Sequence, residues 1–458
     1  MPAINPSHHT AQLSESERSA LRKAAVSSFI GNFVEWFDYA AYGYLAAIIA
    51  VVFFPSEDKT IGLIAAYAVF AISFIIRPIG GIVWGQWGDR YGRRTALSWS
   101  ILIMSAATFC IAFLPTYEQV GFVAPLLLLI IRFVQGFSAS GEYAGAAAFL
   151  AEYAPPHQRG LYTSLVPAST ASGLLLGSLL VALLYAILSD EQLHSWGWRL
   201  PFLLAAPFGL VGRYIRLHLE DTPVFREMEE RLGHRQQRRL PIYRLVIGYR
   251  RQILIACGVV ALNAVAFYTT LSYMPTYLST ELHMSETSSF IASSVSLLTY
   301  IGFIFMMGHL SDLYGRKTML TSACIAFILL SIPLFMLLET GSFILTLGVM
   351  VVFGAILAMN DGTLPGFLTE IFPTSLRFSG FALCFNLGNA LLGGTAPLVA
   401  TTLIYETGNQ LAPAWYLAGI AVIALIAIMF SKETANDELL AEEVEIDEET
   451  GKVINAPE

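Results

Sequence analysis

Two carboxylates lie inside the first long apolar stretch of the chain, SFIGNFVEWFDYAAYGYLAAIIAVVFF at residues 28–54. An ionised carboxylate in hydrocarbon is unfavourable by about 2.5–3.5 kcal/mol on insertion scales, so Glu35 and Asp38 need a compensating environment. They belong to a polar stripe on one helical face, which must point into a bundle or a water-filled cavity. Acids in such a place are suited to loading and releasing protons or to contacting a substrate. The stripe consists of Asn32, Glu35, Asp38 or Tyr39, and Tyr42.

Few other ionisable residues interrupt the apolar stretches. Arg77 and Arg132 could grip a substrate carboxylate through paired donors, or could instead hold Glu35 or Asp38. A purely structural pair is the alternative for Glu35 and Asp38, and a cavity-lining structural role is the alternative for Asp361. The candidates for proton coupling are Glu35, Asp38, Glu142 and Asp361.

Aromatic residues are concentrated in the first and seventh apolar stretches. Their ring faces could enclose a quaternary ammonium, at about 0.5–2 kcal/mol per cation–π contact. Aromatic residues are also common in membrane helices for other reasons, and that alternative stays open. Together with nearby polar groups, the candidate substrate contacts are Asn32, Trp36, Tyr39, Tyr42, Arg77, Arg132, Tyr268, Asn386 and Asn389.

The composition requires a membrane around these residues. Of the 458 residues, 55% are hydrophobic and only 13% are charged, against about 25% charged in soluble domains. A spanning helix needs about 20 mainly apolar residues. The sequence predicts twelve spans, near residues 25–54, 62–85, 95–114, 122–149, 161–188, 199–219, 252–278, 288–309, 318–338, 342–368, 378–404 and 412–430.

The basic residues predict the orientation of these spans. Arg93, Arg159, Arg316 and Arg377 fall in one set of loops, whereas the opposite set is rich in Asp and Glu. Because positive loops stay inside, the first set and both termini are predicted to be cytoplasmic. All four cysteines fall within predicted spans and form no C-x-x-C pair. We therefore expect neither disulfides nor a metal or other cofactor.

The chain repeats itself. GQWGDRYGRRTAL at 85–97 matches GHLSDLYGRKTML at 308–320, 223 positions later. AEYAPPHQRG at 151–160 matches TEIFPTSLRFSG at 369–380, 218 positions later. Parallel halves of this kind are typical of transporters that bind substrate between the halves. The predicted organisation is an N-terminal segment (1–24), a six-helix bundle (25–219), a basic linker (220–251), a second six-helix bundle (252–430) and an acidic, disordered tail (431–458).

The duplicated motif resembles the loop motif G-x-x-x-D-R-x-G-R-R of the major facilitator superfamily. GNFVEWFDYAAYG, RFVQGFSASGEYAGA and LEDTPVF resemble its metabolite:proton symporter branch, and YMPTYLS and KETAN resemble the bacterial proline/glycine-betaine symporters. Pro167 stands where that resemblance implies an acidic residue, and the tail lacks the heptads of an osmosensory coiled coil.

The resemblance implies that the repeated loops form a gate. Asp89 would accept hydrogen bonds from a helix N-terminus or an arginine, and Arg93 would clasp Glu152. In the second copy, Glu370 and Arg377 would do the same for Asp312 and Arg316. Anchoring the topology alone is the alternative. The gate residues are Gly85, Asp89, Arg93, Glu152, Arg159, Gly308, Asp312, Arg316, Glu370 and Arg377.

The sequence therefore predicts an all-α membrane protein with twelve transmembrane helices in two pseudo-symmetric six-helix bundles. The function that this predicts is proton-coupled symport of a small polar metabolite by alternating access, with a zwitterion such as proline or glycine betaine first and small organic acids second. A non-transporting sensor and a channel are rivals, and an enzyme is the weakest reading. The expected partners are a small molecule, H+ and the lipid bilayer, without nucleic acid, for a monomeric protein.

Overall fold

The structure is a computed structural model that describes residues 14–55, 59–218, 221–232 and 241–435, with residues 437, 439, 445–446 and 453–455 of the tail. Its long helices form twelve segments, here labelled α1 to α12. Their bounds are Glu15–Tyr44 with Ala46–Phe53 (α1), Lys59–Ile75 with Arg77–Tyr91 (α2), Arg93–Ile111 (α3), Val123–Ala139 with Glu142–Tyr153 (α4), Arg159–Thr163 with Leu165–Ile187 (α5), Leu200–Leu217 (α6), Arg250–Phe267 with Tyr268–Tyr273, Met274–Thr276 and Tyr277–Glu281 (α7), Glu286–Tyr314 (α8), Arg316–Leu338 (α9), Phe343–Glu370 (α10), Arg377–Gly388 with Asn389–Gly393 and Ala396–Thr407 (α11), and Ala412–Met429 (α12).

The segments have the length and composition that a membrane requires. Ten of them, α3 to α12, are long and apolar enough to cross, and α1 is an eleventh when its two parts, bent by 68°, are counted together. The remaining segment, α2, is divided into helices of 17 and 15 residues. The predicted all-α fold of twelve helices in two bundles is confirmed.

The repeated glycines of the motif end α2 and α8. Gly92 has φ of 98° and Gly315 has φ of 96°, in the left-handed region that glycine enters without a Cβ penalty. Each glycine turns the chain sharply, so that α3 and α9 begin at the very next residue. The duplicated sequence therefore builds the same corner in both bundles.

Two segments contain π-helical turns. In α7 these are Tyr268–Tyr273 and Tyr277–Glu281, and in α11 the turn is Asn389–Gly393. π-helical turns are rare in proteins, and those that do occur are often found at functional sites. Two predicted substrate contacts, Tyr268 and Asn389, are the first residues of such turns.

The connections outside the bundles are short or partly helical. In the basic linker, helices cover Pro223–Leu232 and Pro241–Gly248, and residues 233–240 lie outside the described part. Within the acidic tail, Glu445–Ile446 pairs antiparallel with Val453–Asn455. The short helices of the loops are Tyr117–Val120, Pro156–Gln158, Asp190–Ser195, Gly197–Arg199 and Thr374–Leu376.

Candidate functional site

One end of the molecule, called here the basic end, carries the repeated loops and two clusters of buried charges. The first gate cluster consists of Asp89, Arg93, Glu152 and Arg377. Arg93 Nη2 lies 3.1 Å from Asp89 Oδ1 and 3.2 Å from Glu152 Oε1, and Arg377 Nη1 lies 2.6 Å from Glu152 Oε1. All four side chains are buried. Because Arg377 belongs to the C-terminal bundle, its pair with Glu152 joins the two bundles.

Asp89 joins the bundles a second time. Its carboxylate accepts hydrogen bonds from the backbone N–H of Phe378 at 3.1 Å and of Ser379 at 2.8 Å. These groups lie in the first turn of α11, where free N–H groups and the helix dipole favour a negative charge. Gly85 brings α2 this close, since an added Cβ there would lie 2.6 Å from Ser379 Cα.

The second gate cluster consists of Asp312, Arg316, Glu370 and Arg159. It repeats the geometry of the first cluster with the bundles exchanged. Asp312 accepts from the N–H of Gly160 at 2.8 Å and of Leu161 at 2.9 Å, in the first turn of α5. Arg316 Nη2 lies 2.8 Å from Asp312 Oδ1 and 3.0 Å from Glu370 Oε1. At Gly308, an added Cβ would lie 2.6 Å from the Gly160 carbonyl oxygen.

The predicted pairing of Arg377 with Asp312 and Arg316 is wrong. Arg377 contacts Glu152 in the first cluster, and Arg159 lies 3.9 Å from Glu370 in the second. Each motif loop meets the first turn of a helix in the opposite bundle, so the arginine that begins that helix joins the opposite bundle's cluster.

Two acids that the sequence analysis did not single out complete the gate clusters. Asp221 Oδ1, after α6, accepts from the N–H of Arg93 at 3.1 Å and of Arg94 at 3.4 Å. Glu433, after α12, accepts from the N–H of Arg316 at 2.7 Å and of Lys317 at 3.0 Å.

The threonines that follow these acids donate to the glutamates of the clusters. Thr222 donates to Glu152 at 2.5 Å, and Thr434 donates to Glu370 at 2.8 Å. The signal that could have found these four residues is the acid–threonine pair, which follows both the sixth and the twelfth helix in LEDTPVF and KETAN.

Three of the four predicted proton-coupling acids are paired with arginines inside the N-terminal bundle. Glu35 of α1 pairs with Arg77 of α2. Asp38 Oδ2 lies 2.7 Å from Arg132 Nη1 of α4. Glu142 pairs with Arg216 of α6, whose partnership the sequence did not indicate. Each pair brings two helices together and neutralises the charge of its acid.

The arginine of the Glu35–Arg77 pair packs against two aromatic rings. The Arg77 guanidinium carbon is 4.9 Å from the ring centres of both Tyr39 and Phe74. Phe74 in turn lies 6.1 Å from Tyr268 of the C-terminal bundle. The pair is therefore close to the boundary between the bundles.

A narrow cavity lies between the bundles near the middle of the helices. Its free volume is about 20 Å³, which is room for about one water molecule. The N-terminal bundle contributes Trp36, Tyr143, Pro167 and Thr170, and the C-terminal bundle contributes Asn263, Phe267, Tyr300, Asp361, Phe385 and Asn389.

All the residues that line the cavity are buried in this conformation. The gate clusters hold the bundles together at the basic end. At the opposite end, Tyr44 of α1 lies 5.7 Å from Phe290 of α8. A ligand larger than water therefore requires the bundles to move apart.

Asp361 is the cavity residue with the most distinctive surroundings. Its Oδ1 accepts from Asn263 Nδ2 at 2.6 Å, and its Oδ2 accepts from the Tyr300 hydroxyl at 2.7 Å. The side chain is 1% exposed. Among the residues that the structure describes, Asp361 forms no ion pair, in contrast to the three acids of the N-terminal bundle.

The structure brings some predicted substrate contacts to the cavity and places others elsewhere. Trp36 and Asn389 line it. Asn32 instead donates to Val166 O of α5 at 2.9 Å, and Tyr42 donates to Ala66 O at 3.0 Å. Asn386 donates to Ser140 O at 2.8 Å across the bundle boundary. The residues that do not line the cavity in this conformation are Asn32, Tyr39, Tyr42, Arg77, Arg132, Tyr268 and Asn386.

These features define a membrane protein of two matching helical bundles, with a cavity between them and two clusters of buried charges at one end. The chain belongs to the Major Facilitator Superfamily, whose family model matches residues 28–397. The predicted family is thereby confirmed.

Known proteins resemble the chain over most of its length. It is 40% identical over 428 residues to the glycine betaine/proline/ectoine/pipecolic acid transporter OusA of Dickeya dadantii, covering 92% of this chain and 85% of the relative. It is 38% identical over 425 residues to the proline/betaine transporter of Escherichia coli, covering 91% and 84%. The solved proton:xylose symporter XylE, bound to 6-bromo-6-deoxy-D-glucose, has a TM-score of 0.79 at 17% identity and covers 92% of this chain and 98% of that chain. At that identity the structural likeness concerns the fold alone.

Proposed function

We propose that this protein is a proton-coupled symporter that imports a small zwitterionic osmolyte, such as proline or glycine betaine, by alternating access. The observation that carries the proposal is the cavity between the bundles, which is walled by aromatic rings and holds the carboxylate of Asp361. The names of the two relatives support the same substrate class.

In this proposal the basic end faces the cytoplasm of a bacterium, in the inner membrane, with both termini on that side. The gate clusters close the cytoplasmic side while substrate enters from outside. Breaking the contacts of Asp89 with α11 and of Asp312 with α5 opens the cytoplasmic side. The protein works as a monomer in the lipid bilayer, catalyses no chemical reaction and needs no cofactor besides protons.

Protons enter through the paired acids of α1. A proton on Glu35 removes its negative charge and frees the Arg77 guanidinium, whose paired donors then suit a substrate carboxylate. Asp38 and Arg132 form a second pair of this kind. Each proton that enters down a membrane potential supplies about 2.3 kcal/mol per 100 mV, enough for about 50-fold accumulation.

The organic-acid alternative is weaker because of Asp361. A dicarboxylate in the cavity would approach this uncompensated carboxylate, and like charges repel strongly where water is excluded. A zwitterion offers its ammonium group to the same carboxylate.

Uptake into proteoliposomes tests the proposal. Purified protein should accumulate radiolabelled glycine betaine or proline when an inward proton gradient is imposed, and a protonophore should abolish accumulation. Accumulation that the protonophore leaves unchanged would contradict proton symport. Conduction without saturation would indicate a channel, and an absence of any flux would indicate a sensor.

A further inference from the structure

We propose that Asp361 recognises the ammonium group of the substrate, so that the C-terminal bundle selects the cation within a box of aromatic rings. The inference rests on the proposed function and assigns one binding role to one residue. It separates this acid from the proton-coupling acids of the N-terminal bundle.

The buried acids differ in how their negative charges are balanced. Glu35, Asp38 and Glu142 each have an arginine partner. Asp361, within the described part of the chain, has only the neutral donors Asn263 and Tyr300. A buried charge without a counter-ion is strongly unfavourable. A cation that enters the cavity would supply the missing charge.

Two hydrogen bonds hold the Asp361 carboxylate in one orientation. The donors come from α7 and α8, and each binds a different carboxylate oxygen, at 2.6 Å and 2.7 Å. The carboxylate is therefore fixed before any ligand arrives, which lowers the entropy cost of binding. All three residues line the cavity.

Aromatic rings line the cavity together with this carboxylate. The Phe267 ring centre lies 5.4 Å from that of Trp36 and 6.4 Å from that of Tyr300. Tyr143 and Phe385, which also line the cavity, stack with their ring centres 4.1 Å apart. A quaternary ammonium has no N–H to donate, so ring faces and a carboxylate are the groups that can bind it.

Besides the Arg77 guanidinium of the proposed function, the N-terminal bundle offers the substrate's carboxylate a donor that lines the cavity. The Trp36 side chain lines the cavity and is 6% exposed, and its Nε1 has no hydrogen-bond partner among the described residues. A buried donor without a partner is unfavourable, and a carboxylate oxygen would satisfy it. The two bundles would then hold the two ends of one zwitterion.

The test compares glycine betaine with 3,3-dimethylbutyrate, in which a neutral carbon replaces the ammonium nitrogen. Binding to the full-length protein in nanodiscs is measured by titration calorimetry. Wild-type protein should prefer glycine betaine by at least about 30-fold, the effect of removing one partner of a buried charge pair. Asp361→Asn should reduce that preference to less than about 10-fold. Asp361→Glu, which keeps the charge, should retain most of it.

Each other result would overturn the proposal. Equal wild-type affinity for the two ligands would do so without any variant, and that comparison stands even if Asp361→Asn does not fold. Unchanged preference in Asp361→Asn, combined with lost uphill uptake, would make Asp361 a proton carrier and leave the proposed function intact. If wild-type protein binds neither glycine betaine nor proline, the osmolyte part of the proposed function falls as well.

Discussion

Asp89→Asn should shift the protein toward the state that is open at the basic end. The Asp89 carboxylate accepts from the N–H groups of Phe378 and Ser379, which lie in the opposite bundle. These bonds exist only while the bundles touch. An asparagine retains one acceptor oxygen but turns an NH2 group toward the other N–H, so at least one charge-assisted bond is lost.

The size of the shift follows from that bond. A hydrogen bond to a charged group contributes about 1.5–3 kcal/mol, so the ratio of open to closed protein should rise about 10- to 150-fold. Arg93 keeps Glu152 as a partner at 3.2 Å, so the variant does not strand an unpaired arginine.

Thiol labelling measures this shift. Ser164, buried beside Gly308 where the bundles meet, is replaced by cysteine in an otherwise cysteine-free chain. When opening and closing are fast, the labelling rate by a membrane-impermeant maleimide added at the basic end follows the open population. The rate should rise by the same factor in Asp89→Asn. Asp312→Asn is the matched variant, with bonds of 2.8 Å and 2.9 Å to α5, and should act alike. An unchanged or slower labelling rate in both variants would refute the gate.

Three further outcomes are expected. Glu35→Gln should abolish uphill uptake but retain substrate exchange across proteoliposomes, because the carboxylate can no longer cycle a proton against Arg77; wild-type accumulation would contradict this. Gly85→Leu should trap the basic end open, since even a Cβ would lie 2.6 Å from Ser379 Cα; fast labelling with lost transport is the sign, and normal transport would exclude the close contact. Burial raises the pKa of the Asp221 carboxyl, so its contribution to folding stability is present at low pH and decreases as the pH rises through that pKa. Asp221→Asn should weaken the decrease of the melting temperature with rising pH in the range of that pKa. An unchanged pH profile of the melting temperature would contradict the contribution assigned to Asp221.

The sequence predicted the helices and the gate better than the site. Twelve apolar stretches and two copies of one motif are direct consequences of length, hydropathy and repetition. Helical periodicity placed Asn32 and Tyr42 on the polar face of α1, but it could not say which neighbour that face meets. Both side chains bond to helices of their own bundle. Periodicity within one helix defines a face, whereas partners depend on how separate helices pack.

The partners of Arg216 and Arg377 could not be predicted for the same reason. Arg216 lies 74 positions from Glu142 along the chain, and Arg377 lies 225 positions from Glu152. No local pattern joins residues so far apart. The sequence left two roles for Asp361, a proton site or a cavity-lining acid. It does not show which buried acids have an arginine partner, because that depends on how the neighbouring helices pack.

Buried ion pairs between helices are distributed unequally over the two bundles. Buried pairs fasten α1 to α2, α1 to α4 and α4 to α6 in the N-terminal half. Away from the basic end, the described part of the C-terminal half has no such fastening, and its α7 and α11 carry π-helical turns beside the cavity. These three ion pairs hold the helices of the N-terminal half to one another. In the proposed transport cycle, we expect the helices of the C-terminal half that line the cavity to shift relative to one another more readily than those of the N-terminal half.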